Sequence, residues 1–186
     1  MATQLDVEVR GEITEHDVKI LELAALKGVF ADVVEDPVTY VNAPVIAADR
    51  GVAVRLVTDE ESPDYRNLVT VRGVLADGRT VSVSGTLSGH RHVEKLVEVL
   101  GYDIEVQPSD HMAFLRYEDR PGVVGVVGRV LGDARVNIAG MQVSRDTRGG
   151  HALVVMTVDQ AIPPRAFDEI LAAIGAEWGR TVDLEA

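Results

Sequence analysis

The sequence contains no cysteine. That excludes disulfides, thiolate metal sites and cysteine nucleophiles, and it fits a reducing compartment. Aromatic residues are scarce, at 4% of 186 residues, while the apolar share of 46% and the charged share of 26% are ordinary for a globular chain. No uncharged apolar run reaches the ~18 residues that a spanning helix needs. Basic residues are outnumbered, 18 Lys and Arg against 30 Asp and Glu, for a formal net charge of −12. Nucleic-acid binding draws on basic surface, so a polyanionic partner is not expected, and the charge is read as a source of solubility. The opening "MATQLDVEVR" has no basic region followed by an apolar core, so no signal peptide is expected and the expected location is cytoplasmic.

The length suits two small domains. In the first, "LDVEVRG" alternates as a strand does. A helix is expected from Thr14, where Thr14 and Asp17 have capping-box spacing with Asp in the usual place of Glu. Val18, Leu21 and Ala25, with Ile20 and Ala24, form its apolar face, and Gly28 is expected to end it. "YVNAPVIAADRG" reads as a second short helix, with Asn42 as N-cap and Gly51 as the stop. Asp77-Gly78 lies between two alternating valine-rich runs, the mark of a tight hairpin. "HVEKLVEVLGYDIEVQP" has helical spacing at Val93, Leu96, Val97 and Leu100. Its β-branched content and Gly101 favour a hairpin instead.

The polar stretch "QPSDH", 107 to 111, marks the expected boundary, giving domains 1–108 and 109–186. The second domain reads as strand ("MAFLRYE"), helix (122–132), strand ("NIAGMQVSR"), strand ("HALVVMTV"), helix (164–174) and strand ("EWGRTVDLE"). The expected fold class is therefore α+β: a mixed α/β domain, then a βαββαβ ferredoxin-like domain of strand order 4-1-3-2. Val123, Val124, Val127, Val130 and Leu131 are expected to form the buried stripe of its first helix. "NIAGMQVSR" then becomes an edge strand. Ile138 to Ser144 carries no charge and no proline, so this edge is expected to be covered by the same strand of a second copy.

"YEDRPGVVGVVGRVL" holds Gly122, Gly125 and Gly128 after a strand. The spacing is neither the dinucleotide fingerprint nor a Walker loop. Two roles are open for Gly125 and Gly128: close packing of the helix on the sheet or on a neighbour, or part of a ligand loop. Gly122 follows Asp119-Arg120-Pro121, where the chain turns into the helix. Free N–H groups at that start suit a small anion such as a carboxylate, and Asp119 beside them suits an ammonium. Together these would hold an amino-acid zwitterion; the alternative for Asp119 is a plain helix cap.

These residues carry a resemblance. "YEDRPGVVGVVGRVLGDARVNIAGMQVSR" resembles the ACT domain of the D-3-phosphoglycerate dehydrogenase family. "YVNAPVIAADRGV", "GTLSG" and "LVEVLGYDIEVQPSDHM" resemble that family's allosteric substrate-binding, or intervening, domain. The resemblance covers essentially the whole chain. The family's NAD-binding domain and its catalytic His, Arg and Glu have no counterpart here, so the resemblance implies a regulatory portion of a parent enzyme that uses NAD, with no cofactor and no catalytic residue in this chain. It also implies allosteric binding of L-serine, the product of the pathway the parent opens, between two ACT domains of a homodimer. By resemblance the ligands would be Tyr117, Asp119, backbone N–H groups at Gly122 and Val123, and Asn137 from the partner copy.

In the intervening domain the resemblance implies an anionic effector, phosphate or phosphoglycerate. "GHRHVEK" gathers His90, Arg91, His92 and Lys95, basic residues near a turn that suit phosphate or are simply solvated. Some relatives carry a basic residue where this sequence has Gln107. His90 and His92 lack a third ligand, and His16, His111 and His151 are scattered, so no metal is expected. Two alternatives remain: the corresponding part of an iron–sulfur L-serine dehydratase, whose cluster needs cysteines, and a free-standing ACT ligand-binding module. No nucleophile–base pair or cofactor loop suggests an enzyme complete in itself.

Overall fold

In β1 (Ala2–Gly11) alternation puts Leu5, Val7 and Val9 on one buried face and Gln4, Asp6, Glu8 and Arg10 on the other. The structure, a computed structural model, describes residues 2–184. Strand β1 pairs in parallel with β2 (Ala53–Asp59), and parallel neighbours require a crossover. Helices α1 (Lys19–Ala31) and α2 (Ala43–Asp49) lie on that crossover. On its other side β1 meets β3 (Asn67–Leu75) antiparallel, followed by β4 (Thr80–Ser88) and β5 (Val93–Val99), giving the order β2-β1-β3-β4-β5. Asp77-Gly78 makes the β3–β4 turn as expected, with Gly78 at φ 82.

The helix after β1 departs from expectation. Glu12–Glu15 is a 3-10 turn, and α1 starts only at Lys19. Thr14 donates its hydroxyl hydrogen bond to Gly11 O, so it is not a cap, and Asp17 accepts from Lys19 N–H. Gly28 does not end the helix, which continues to Ala31. A lone glycine costs a helix interior only about 1 kcal/mol, less than tertiary packing supplies. Of the expected apolar face, Val18 is buried and Leu21 and Ala25 pack with it against Val7 and Val9, whereas Ile20 and Ala24 are exposed; Glu22, Leu26 and Phe30 form the fully inward line. Leu26 and Phe30 join Leu5, Ala43, Ala47 and Val52 in one core, so packing against the sheet selected this face. Glu22 tolerates burial because Lys19 Nζ lies 2.5 Å from its carboxylate. Asn42 stands at the N-cap of α2, yet its side chain accepts from Thr39 N–H, not from the helix.

The two segments flanking Gly101 are strands, β5 and β6 (Tyr102–Val106), not one helix. The chain divides into two compact units, Met1–Gly101 and Tyr102–Ala186, at this glycine and ahead of the polar stretch 107–111.

The second unit continues with β7 (His111–Glu118), α3 (Val123–Asp133), β8 (Ile138–Arg145), β9 (His151–Val158), α4 (Pro164–Ile174) and β10 (Trp178–Asp183). Sheet order is β10-β7-β9-β8, the expected split βαββαβ arrangement. Glu185, at the end of the expected last strand, lies outside the described residues. From Ala152 to Val158 every residue of β9 is buried. Ala113, Leu115, Ala152, Val154 and Met156 face the two helices and pack with Val127, Leu131 and Ile170. Val124, assigned to the buried stripe from its spacing, is half exposed (50%); it lines the pocket that opens at the start of α3, while Val123 beside it is buried in the core. Strand β8 is the edge, as expected. Its pairing with β9 is irregular between Ile138 and Gly140, and Gln142 Oε1 accepts the Glu105 N–H at 2.9 Å. No described helix is long and apolar enough to cross a membrane.

Ile170→Ala should lower stability by about 2–5 kcal/mol, the usual cost of emptying a closed core position, whereas Val124→Ala should change it by less than about 1 kcal/mol. Urea denaturation followed by circular dichroism checks the contrast.

Candidate functional site

The register of three strands builds the floor of a pocket. Tyr117 on β7 pairs with Ala152 on β9, which pairs with Arg145 on β8. Paired residues share a face, so all three lie on the helix-bearing side of the sheet. Ala152, the smallest of the row, is fully buried between the other two.

The roof is the passage from β7 into α3. After Glu118 the chain runs through Asp119-Arg120-Pro121 to Gly122, which has φ 93 and ψ −16. That left-handed conformation is open to glycine and strained for most other residues. Helix α3 starts at Val123 with no side-chain cap. The first-turn N–H groups have no intrahelical partners and carry the positive end of the helix dipole. A pocket of about 320 Å³ opens there, lined by Tyr117, Asp119, Arg120, Gly122, Val123 and Arg145 among others.

Asp119 does not cap the helix. Its carboxylate meets Arg145 Nη1 at 3.3 Å, and its backbone N–H donates to Gly150 O at 2.8 Å. Gly125 and Gly128 do not serve close packing within the chain either, since a methyl group added at either would meet nothing within 4 Å. Tyr117 is buried, and burial raises its phenol above the usual tyrosine range; the negative charge of Asp119 pushes the same way, while Arg145 opposes it.

Tyr117, Asp119, Gly122 and Val123 thus come together as the sequence anticipated. Asn137 does not join them in one chain. It precedes β8, at the end opposite Arg145, and its amide donates to Asp159 Oδ2 at 2.8 Å. Seven strand steps separate Ile138 from Arg145, roughly 23 Å at 3.3 Å per residue. His90, Arg91 and His92 are exposed on the turn between β4 and β5, and Lys95 is half-buried on β5. His111 and His151 have carboxylate neighbours, Asp183 at 2.7 Å and Glu177 at 2.8 Å. Arg120 and Arg145 line the pocket and were not singled out from the sequence. Arg120 Nη2 donates to Ile174 O at the end of α4, at 2.9 Å, tying the roof loop to that helix.

Residues 1–100 match the family model of the D-3-phosphoglycerate dehydrogenase intervening domain, and residues 111–175 match the ACT domain model. The chain belongs to the D-3-phosphoglycerate dehydrogenase family. It is 43% identical over 184 residues to the D-3-phosphoglycerate dehydrogenase of Mycobacterium leprae, covering 99% of this chain and 35% of the relative. The enzyme of Bacillus subtilis is 31% identical over 164 residues, 88% of this chain and 31% of that protein. The chain therefore spans about a third of the length of the dehydrogenases it matches.

Asp119→Asn removes the negative charge beside the Tyr117 phenol. The late-titrating member of the four tyrosines should then ionise at lower pH, yet stay above the ordinary tyrosine range because burial persists. Phenolate absorbance against pH reads this, with Tyr117→Phe assigning the late step.

Proposed function

We propose that this chain is the regulatory part of a D-3-phosphoglycerate dehydrogenase, and that its ACT pocket binds L-serine or a similar small amino acid. The observation that carries this is the uncapped start of α3, opening at left-handed Gly122, with the Asp119 carboxylate facing the same pocket. An amino acid's carboxylate accepts from the N–H groups of Gly122 and Val123. Its ammonium meets Asp119, displacing Arg145. The buried Tyr117 phenol lies in the floor and can reach the ligand's hydroxyl.

Asn137 completes the site from a second copy. Antiparallel pairing of two β8 edges about Met141 sets residue 137 of one copy against residue 145 of the other, beside the pocket. The uncharged, proline-free edge supports this pairing. The bound amino acid then bridges two subunits and favours one arrangement of the parent enzyme. Coupling of this kind is typically about 1–3 kcal/mol and acts by shifting an existing equilibrium.

Calorimetric titration with L-serine should give saturable binding near one ligand per chain, and the absence of heat would remove the amino-acid site. Asn137→Ala should weaken serine binding by about 1–3 kcal/mol, the cost of leaving a polar ligand group without its partner. Ala139→Asp places a charge on the proposed edge opposite Val143 of the partner. Light scattering should report monomer, and serine affinity should fall with it; a persistent dimer would exclude pairing through β8.

A further inference from the structure

Beside the proposed amino-acid pocket lies a second cavity of about 430 Å³, lined by Asp119, Arg120, Pro121, Arg145, Arg148 and Gly149. Three arginines and one aspartate are among its lining residues, a local excess of two positive charges in a chain whose formal net charge is −12. The turn that presents Arg148 is internally braced. Asp146 Oδ1 accepts the His151 N–H at 2.8 Å, and the Gly150 N–H donates to Thr147 O at 3.1 Å. Gly150 O in turn accepts the Asp119 N–H at 2.8 Å, joining this turn to the loop that opens α3. The cationic cavity and the proposed amino-acid pocket therefore share Asp119, Arg120, Pro121 and Arg145 as a common wall.

We propose that this cavity is a second anion subsite, so that the site prefers an amino acid whose side chain ends in a phosphoryl group, O-phospho-L-serine being the simplest case. The inference rests on the amino-acid reading of the adjoining pocket. When the ligand's ammonium takes Asp119, the Arg145 guanidinium is released from its 3.3 Å ion pair. Its planar fork then turns to the phosphoryl oxygens, which Arg148 reaches from the braced turn. Arg120 spends one donor on Ile174 O and keeps the rest of its fork for the same cavity. Guanidinium forks match phosphoryl oxygens in pairs, and several of them around one cavity suit a dianion better than a single carboxylate. A neutral serine side chain leaves this charge unanswered.

Calorimetric titration of the chain with L-serine, O-phospho-L-serine, L-glutamate and inorganic phosphate tests the subsite. O-Phospho-L-serine should bind about tenfold more tightly than serine, a gain held down by the solvent exposure of the arginines, and the gain should shrink as salt is raised. Arg148→Gln should remove most of that preference and leave serine affinity unchanged. Serine binding with no preference for the phosphorylated ligand, or a preference that survives both Arg148→Gln and Arg145→Gln, overturns the subsite alone. Inorganic phosphate binding as tightly as O-phospho-L-serine also overturns it, because the amino-acid group would then contribute nothing. No saturable heat with serine or with O-phospho-L-serine overturns the amino-acid pocket and the subsite together.

Discussion

The second unit depends on the pairing of β9 between β7 and β8. Every residue from Ala152 to Val158 is buried, so the strand cannot slip by one position without moving its whole inward set to the wrong face. That register fixes the helix packing through Val154 and Met156, and it aligns Tyr117, Ala152 and Arg145 in one row. The pocket floor is thus a by-product of the core. Tyr117 and Arg145 are positioned by strand pairing and not by loop contacts.

Electrostatics then gives the row its chemistry. An acidic chain places arginines on the loop and turn around one carboxylate, next to helix N–H groups that no side chain caps. Asp119 and Arg145 satisfy each other, so neither charge is left stranded. Both side chains retain contact with water, and an exposed pair of this kind is worth at most about 1 kcal/mol. A ligand that offers the same two charges can therefore replace it at small cost. The Arg120 link to Ile174 O ties the roof loop to the end of α4.

Much of the fold was legible from local signals. Asp77-Gly78 marked its hairpin, β-branched content around Gly101 favoured strands over a helix, and "MAFLRYE" and "HALVVMTV" read as the strands they form. Where the reading failed, packing overrode a local pattern. Gly28 sits inside a helix because the sheet beneath Leu26 and Phe30 supplies more than the glycine costs. Val124 matches the apolar period yet is exposed, because periodicity records spacing and not where the helix meets its neighbour. Gly125 and Gly128 looked like packing residues, but nothing approaches them within the chain.

For the candidate site the division is sharper. The sequence by itself determined the pieces with a local conformational cause: a left-handed glycine after Asp119-Arg120-Pro121, a helix start with free N–H groups, and an uncharged edge strand. Only the tertiary structure decided that Asp119 meets Arg145, that Tyr117 and Arg145 share one row across Ala152, and that Arg148 lines the neighbouring cavity. Those outcomes depend on strand register and on the course of a turn more than twenty residues away. No local propensity encodes contacts at that separation; they exist because the pairing of β7, β9 and β8 brings distant residues into one row.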